Sequence, residues 1–261
     1  MKMTKNTEKK LQHFIDLIIV FTQKDLKVRY KNSFLGYLWS IAHPLAFALV
    51  FFIAFKVVVK IQVENYTLFL ISGLFPWQWF ANSVNGAPMM FLNNASIIKK
   101  VNFPRNVLVF THVLQDMIHF LLAIPVVVLF LIIYGKTPSI SWCYGITILL
   151  FIQFFITYGL SLIVASTNLF FRDLERLTTL FTTLLFYFTP IIYSEHMIPN
   201  HYKPLIYLNP LASLMISWRN LFMGGILNVT EICLAFIYAI IIFFLGHIVY
   251  KSLSWRFAEI L

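Results

Sequence analysis

Carboxylates are scarce in this chain. Ten Asp and Glu stand against 20 Lys and Arg in 261 residues, and charged side chains of both signs make up only 11%. So small a polar complement cannot cover a water-soluble domain of this size, and a composition 60% hydrophobic with 28 Phe excludes that class. The two cysteines, Cys143 and Cys233, are too few and too far apart for a disulfide framework or a metal site. Both read as apolar fillers. The sequence has no GxxxxGKS/T loop to cradle a nucleotide phosphate, and no HExxH, GxSxG or paired-cysteine motif. Only Asp116 among the acidic residues falls clearly inside an apolar stretch. Ion-coupled pumps carry several intramembrane carboxylates, because protons and sodium need titratable or coordinating groups. The energy for any transport must come from elsewhere.

What the chain does have is about six long apolar stretches separated by short, mostly basic segments. A bilayer core of roughly 30 Å requires about 20 apolar residues in a helix rising about 1.5 Å per residue. The fold class is therefore all-α: a single polytopic membrane domain (1–261) with six transmembrane helices. Spans are predicted over 34–59, 68–87, 107–134, 142–169, 177–193 and 229–250. The second is expected to be broken by Gly73, Pro76 and Gly86, and breakers at membrane depth survive only against protein or water. The fifth is short and threonine-rich, with Pro190 near its end. Ahead of the first span, 8–31 place Leu11, Phe14, Ile15, Ile18 and Phe21 at helical spacing, with Asp16, Gln23 and Lys27 on another face. That is an amphipathic helix lying in the interface plane. The opening residues do not read as a cleavable signal peptide. The 194–228 segment is too apolar for a free loop and reads as short re-entrant helices dipping into the outer leaflet.

The net charge of +10 would suggest nucleic acid in a soluble protein, but its distribution points to the membrane. Eight basic residues precede the first span, and Lys99, Lys100 and Arg105 fall between the second and third. Arg172 and Arg176 lie between the fourth and fifth, and Lys251 and Arg256 follow the sixth. The opposite set holds only Lys56, Lys60, Lys136, Lys203 and Arg219. Cytoplasmic segments carry the Lys and Arg excess, so both termini are expected in the cytoplasm, with anionic lipid head groups as partners.

One cytoplasmic element suits a partner. In 91–104, Phe91, Ile97, Ile98 and Val101 suit one face of a short helix, Lys99 and Lys100 point outward, and Pro104 stops it. It reads either as the rigid element through which a cytoplasmic engine pushes or as an interfacial helix gripping head groups. The RDLER run at Arg172, Asp173 and Arg176 either forms local ion pairs or lines the same docking surface. His112, Asp116 and His119 share one face of the third span, as a proton relay or as a polar contact between helices. His43, beside Pro44, suits a hydrogen bond to a freed carbonyl.

Several blocks occur together in a recognisable order: DLKVRYKNSFLGYLW from Asp25, SGLFPWQWF from Ser72, IIKKVNFPR from Ile97, NLFFRDLERL from Asn168, FTPIIYS from Phe188 and YLNPLASLMISWRNLF from Tyr207. In these the chain resembles the permease subunits of type-2 ABC exporters of cell-surface polysaccharide, the O-antigen, capsule and teichoic acid permeases. The resemblance covers nearly the whole sequence, and IKKVNFPR is closer to the O-antigen and teichoic acid branch. It implies a homodimer in the bacterial inner membrane, with no cofactor of its own. Two cytoplasmic nucleotide-binding subunits would carry ATP and magnesium, and a lipid-linked glycan would pass between the protomers. On this chain it implies a coupling helix around Asn94 to Phe103 and an external gate in 194–228.

With a glycan as cargo, the aromatics Trp77, Trp79, Phe80, Tyr187, Phe188 and Tyr193 become candidate channel contacts, because sugar C–H faces stack on aromatic rings. The alternative for them is an ordinary aromatic belt. Arg29, Lys31 and Arg219 are candidates for a phosphate of the lipid carrier, with head-group anchoring as the plainer reading of the first two. Competing functions are an ion-gradient flippase, a drug or small-lipid efflux permease, and a membrane-embedded transferase. The first and last rest on Asp116 and its histidines alone.

Overall fold

A computed structural model describes residues 2–30, 36–60 and 63–261, and helix is the only regular structure among them. The amphipathic α1 runs Lys2–Tyr30. A 3-10 turn, Gly36–Leu38, leads into α2 (Trp39–Phe51), which loosens into a π-helical stretch over Phe52–Val58. α3 (Tyr66–Gly86) passes through a 3-10 turn into two short helices, α4 (Met90–Asn93) and α5 (Ala95–Lys100). Next come α6 (Asn106–Ile133), α7 (Trp142–Asn168) and α8 (Leu174–Phe188). The segment that follows holds α9 (Lys203–Ile206) and α10 (Ala212–Gly224), and the chain closes with α11 (Val229–Leu253) and α12 (Phe257–Ile260).

Among the described residues three helices are long and apolar enough to cross a membrane: α6, α7 and the stretch Val229–Arg256 that contains α11. The others differ from simple spans for physical reasons. α8 has 15 residues, about 22 Å of helix at about 1.5 Å per residue. It ends at Phe188 rather than continuing to 193, because Pro190 cannot donate to the helix ladder. α3 carries Ser72, Ser83, Asn82 and Asn85 among its apolar residues and sits in the middle of the bundle, with Leu68, Leu70, Ile71, Phe80 and Val84 wholly buried. A helix buried all round needs no lipid-facing stripe.

The expected break in that helix is absent: α3 is continuous through Pro76. Gln153 Nε2 donates to the Pro76 carbonyl at 2.7 Å, and the Trp218 indole N–H donates to Gln153 Oε1 at 2.6 Å. One carboxamide thus ties α3, α7 and α10 together in the core.

The closest helix pair is α7 with α11, which cross where Gly159 meets Gly246. A Cβ on Gly159 would lie 2.6 Å from the Ile242 carbonyl oxygen, and one on Gly246 would collide with the Gly159 backbone. Small residues at such a crossing let the two backbones touch, which is what drives helix association where lipid supplies no hydrophobic force. Two apolar clusters result. The larger surrounds α3, between α6, α7, α8 and α10; the smaller gathers α1, α4, α5, the first turns of α6 and α12 at one end of the bundle.

Candidate functional site

The smaller cluster builds the site. α4 and α5 have only four and six residues and cannot hold themselves in place, so the bundle must brace them. Asn168, at the end of α7, donates through Nδ2 to the Pro88 carbonyl at 2.9 Å. Phe91 is buried against Phe257 of α12, with ring centroids 4.8 Å apart. Arg105 Nη1 donates to the Ser254 carbonyl at 2.8 Å, and Phe103 meets Phe21 of α1 at 5.4 Å. Both ends of the chain therefore pack on this one segment.

Asn94 sits at the joint between α4 and α5. Its Nδ2 donates to the Met90 carbonyl at 2.8 Å, and its Oδ1 accepts from Lys24 Nζ of α1 at 2.9 Å. Lys24 was indistinguishable by sequence from its neighbouring lysines; only the fold shows that it reaches this joint. It is half-exposed, so Lys24→Met should cost only about 1 kcal/mol. The readout is tryptic cleavage after Lys99 or Lys100, which should speed up about five-fold as the segment opens more often. An unchanged cleavage rate would mean that Lys24 does not brace the joint.

The face left bare is polar. Asn93, Ser96, Lys99, Lys100 and Asn102 are exposed, while Ile98 and Phe103 are buried and Ile97 is half-buried. Val101 departs from the expected packing face, being 53% exposed. The reason is local. α5 stops at Lys100, and Val101 takes extended backbone at φ −125° and ψ 133°, so helical spacing no longer governs its direction. Arg172, Asp173, Glu175 and Arg176 are all exposed at the start of α8.

The candidate channel aromatics divide into two groups. Trp77, Trp79 and Phe80 are buried in the larger cluster. Trp79 Nε1 donates to the Val113 carbonyl at 3.2 Å, and Trp77 packs on Phe186 at 5.6 Å. Tyr187 and Phe188 are exposed on α8, and the Tyr193 hydroxyl donates back to the Tyr187 carbonyl at 3.0 Å. α8 turns Thr178, Thr182 and Phe186 inward, and Thr182 donates to Asn85 Oδ1 of α3 at 2.9 Å. Outward it presents Glu175, Thr179, Thr183 and Tyr187, a polar stripe at four-residue spacing between exposed Leu and Phe. Thr179 and Thr183 spend their hydroxyl protons on the Glu175 and Thr179 carbonyls, which leaves oxygens able to accept.

Asp116 is buried, and its Oδ2 accepts from Ser83 Oγ at 2.9 Å, with His112 Nε2 at 3.8 Å. His112 Nε2 also lies 3.2 Å from the Ser83 carbonyl, which only accepts, so that nitrogen carries a proton. The group joins α3 to α6 on either side of the braced segment. Arg219 is buried in α10, its Nη2 donating to the Ile191 carbonyl at 2.9 Å. The Arg29 and His43 side chains, and Lys31, lie outside what the structure describes. In the segment after α8, Glu231 and, after it, burial push the Tyr207 phenol above its ordinary value.

Residues 16–223 match the family model described as ABC-2 type transporter. Two proteins of Klebsiella pneumoniae, each named O-antigen export system permease protein RfbA, are 50% identical over 251 residues, covering 96% of this chain and 97% of theirs. A Myxococcus xanthus protein of the same name is 33% identical over 217 residues, covering 82% of this chain and 83% of its own.

Proposed function

The chain belongs to the ABC-2 type transporter family, and from that premise we propose that it is the membrane-spanning permease subunit of an O-antigen exporter. It would carry a lipid-linked polysaccharide from the cytoplasm across the inner membrane. The observation that carries this reading is identity of 50%, nearly end to end, with proteins named for O-antigen export. A permease is not itself an enzyme. Two separate ATPase subunits supply the energy, with ATP and magnesium bound to them.

The braced segment from Pro88 to Arg105 is the docking element. Its rigid seating on both chain ends and on α7 suits it to receive a push, and Asn94, Ile97, Ile98 and Phe103 hold that seat. Lys99, Lys100 and Val101 face the partner, and the exposed Arg172 and Asp173 add to the same docking surface. The termini lie in the cytoplasm, and six spans make up each subunit.

The path for the glycan runs between two copies of the chain along α8. Thr179 and Thr183 accept from sugar hydroxyls, while Tyr187 and Phe188 stack on sugar C–H faces. Sliding costs little in such a lining, since no single contact is strong. The buried Trp77 supports α8 from behind through Phe186, with Phe80 against it, while Trp79 packs on α6. Arg29 and Lys31, at the cytoplasmic interface, meet the phosphate of the lipid carrier.

In vesicles holding the full chain and its ATPase, lipid-linked O-antigen should cross only when ATP is supplied. Transport by the chain alone, driven by a proton or sodium gradient, would replace this reading with that of a secondary flippase.

A further inference from the structure

Where α8 ends, the chain becomes non-helical and its carbonyls must find donors. Three elements supply them. Asn209 Nδ2 reaches the Thr189 hydroxyl at 2.8 Å and the Phe188 carbonyl at 3.4 Å. The Tyr66 hydroxyl at the head of α3 donates to the Ile192 carbonyl at 3.2 Å, and Arg219 of α10 holds Ile191 between them. Ile191 and Ile192 are buried.

Arg219 is the odd member of the set. It is 6% exposed, and among the described residues no carboxylate forms an ion pair with it. Its guanidinium carbon lies 3.8 Å above the Phe69 ring, and its Nε has no partner at all. Burying a cation with so few hydrogen bonds is costly. A cation so placed gains much from water when exposed; when buried it has a carbonyl, a ring face and the attraction of the more distant Glu195 carboxylate. The desolvation cost offsets part of what the buried contacts contribute, which favours a catch that can release.

We propose that Arg219 is a positioning residue, the catch that fixes the segment at the outer end of α8 to α10, against α3, and keeps the export path shut between transport steps. This rests on the proposed function, which runs the path along α8. Gly73 on α3 makes room for the catch. A Cβ there would stand 3.0 Å from Arg219 Nη2, and 3.8 Å from the Ile191 Cα, so a methyl would push the guanidinium by a few tenths of an ångström and strain its bond to Ile191.

The test uses the full chain in sealed vesicles loaded with a small anionic dye, without ATP. The wild type should hold the dye. Arg219→Gln should raise efflux about ten-fold or more, the expected effect of losing a charged hydrogen bond on a closed population. Arg219→Lys should leak less than Arg219→Gln, since it keeps the charge. Gly73→Ala should leak with the arginine intact, and the double variant should leak no more than the worse single variant, because both act on one contact. An Arg219→Gln vesicle that stays tight while glycan export falls would overturn the catch and make Arg219 a substrate contact. If Arg219→Gln does not accumulate, a tight Gly73→Ala vesicle overturns it equally. ATP-driven export by the wild type is read separately, so its absence would strike the proposed function and leave the efflux comparison standing.

Discussion

Gly159→Val should empty the membrane of folded protein. The Gly159 Cα faces the α11 backbone so closely that a Cβ would lie 2.6 Å from the Ile242 carbonyl oxygen and 2.8 Å from the Phe243 Cα. Neither is the far end of a flexible side chain. Relief requires α7 and α11 to move apart as rods, and the Gly246 contact one turn along must open with them. That loses packing over the most intimate helix pair in the fold. Overpacking of this kind costs about 3 kcal/mol or more, a large part of a typical domain's stability. Gly135→Ala makes a useful comparison. Gly135 has φ +70° but nothing within 4 Å of a Cβ, so its only penalty is the backbone one of about 1 kcal/mol. Monodisperse protein recovered after detergent extraction should collapse for Gly159→Val and stay near the wild type for Gly135→Ala. Wild-type recovery of Gly159→Val would mean that the two helices stand further apart.

The helix crossings were beyond the reach of sequence. Gly159 and Gly246 give no local signal, since a glycine at a crossing looks like any other glycine within an apolar run. Helix existence was easier to read: α6, α7 and α11 are long, apolar and bounded by polar turns, and their ends fall within a few residues of the predicted ones. α3 was harder. Its Gly73, Pro76 and Gly86 read as breaks because local propensity counts against all three. In the fold Gly73 is a point of close approach to Arg219 and Gln153 meets the Pro76 carbonyl without a break, while Gly86, close to His112, is where α3 ends. Tertiary contacts overrode propensity there, and only a partner's position could have revealed it. In the braced segment, sequence spacing placed Ile98 on the packed face, where it is buried, and put Val101 beside it. It could not foresee that α5 ends at Lys100, before Val101 and well short of Pro104.

That last difference sets up the strongest functional expectation. Ile98 is 5% exposed, in one cluster with Phe21, Phe91 and Phe103, whereas Val101 is 53% exposed three residues on. Ile98→Asp puts a carboxylate among phenyl rings, where it has no donor to meet it, and burying such a group costs several kcal/mol. The cheaper outcome is that α5 lifts away and the carboxylate stays in water. The rest of the bundle keeps its packing, so the protein should still reach the membrane. If lifting α5 recovers about 3 kcal/mol, the seated form becomes rarer by about a hundred-fold. Surface polysaccharide should fall accordingly, while the ATPase keeps hydrolysing without transport. Val101→Asp should leave the seat intact and show wild-type tryptic resistance at Lys99 and Lys100. Any loss there would come from the partner's side, as weaker co-purification of the ATPase. Equal defects in both variants would mean that α5 is not seated as described. Normal export in Ile98→Asp would take the coupling role away from this segment altogether.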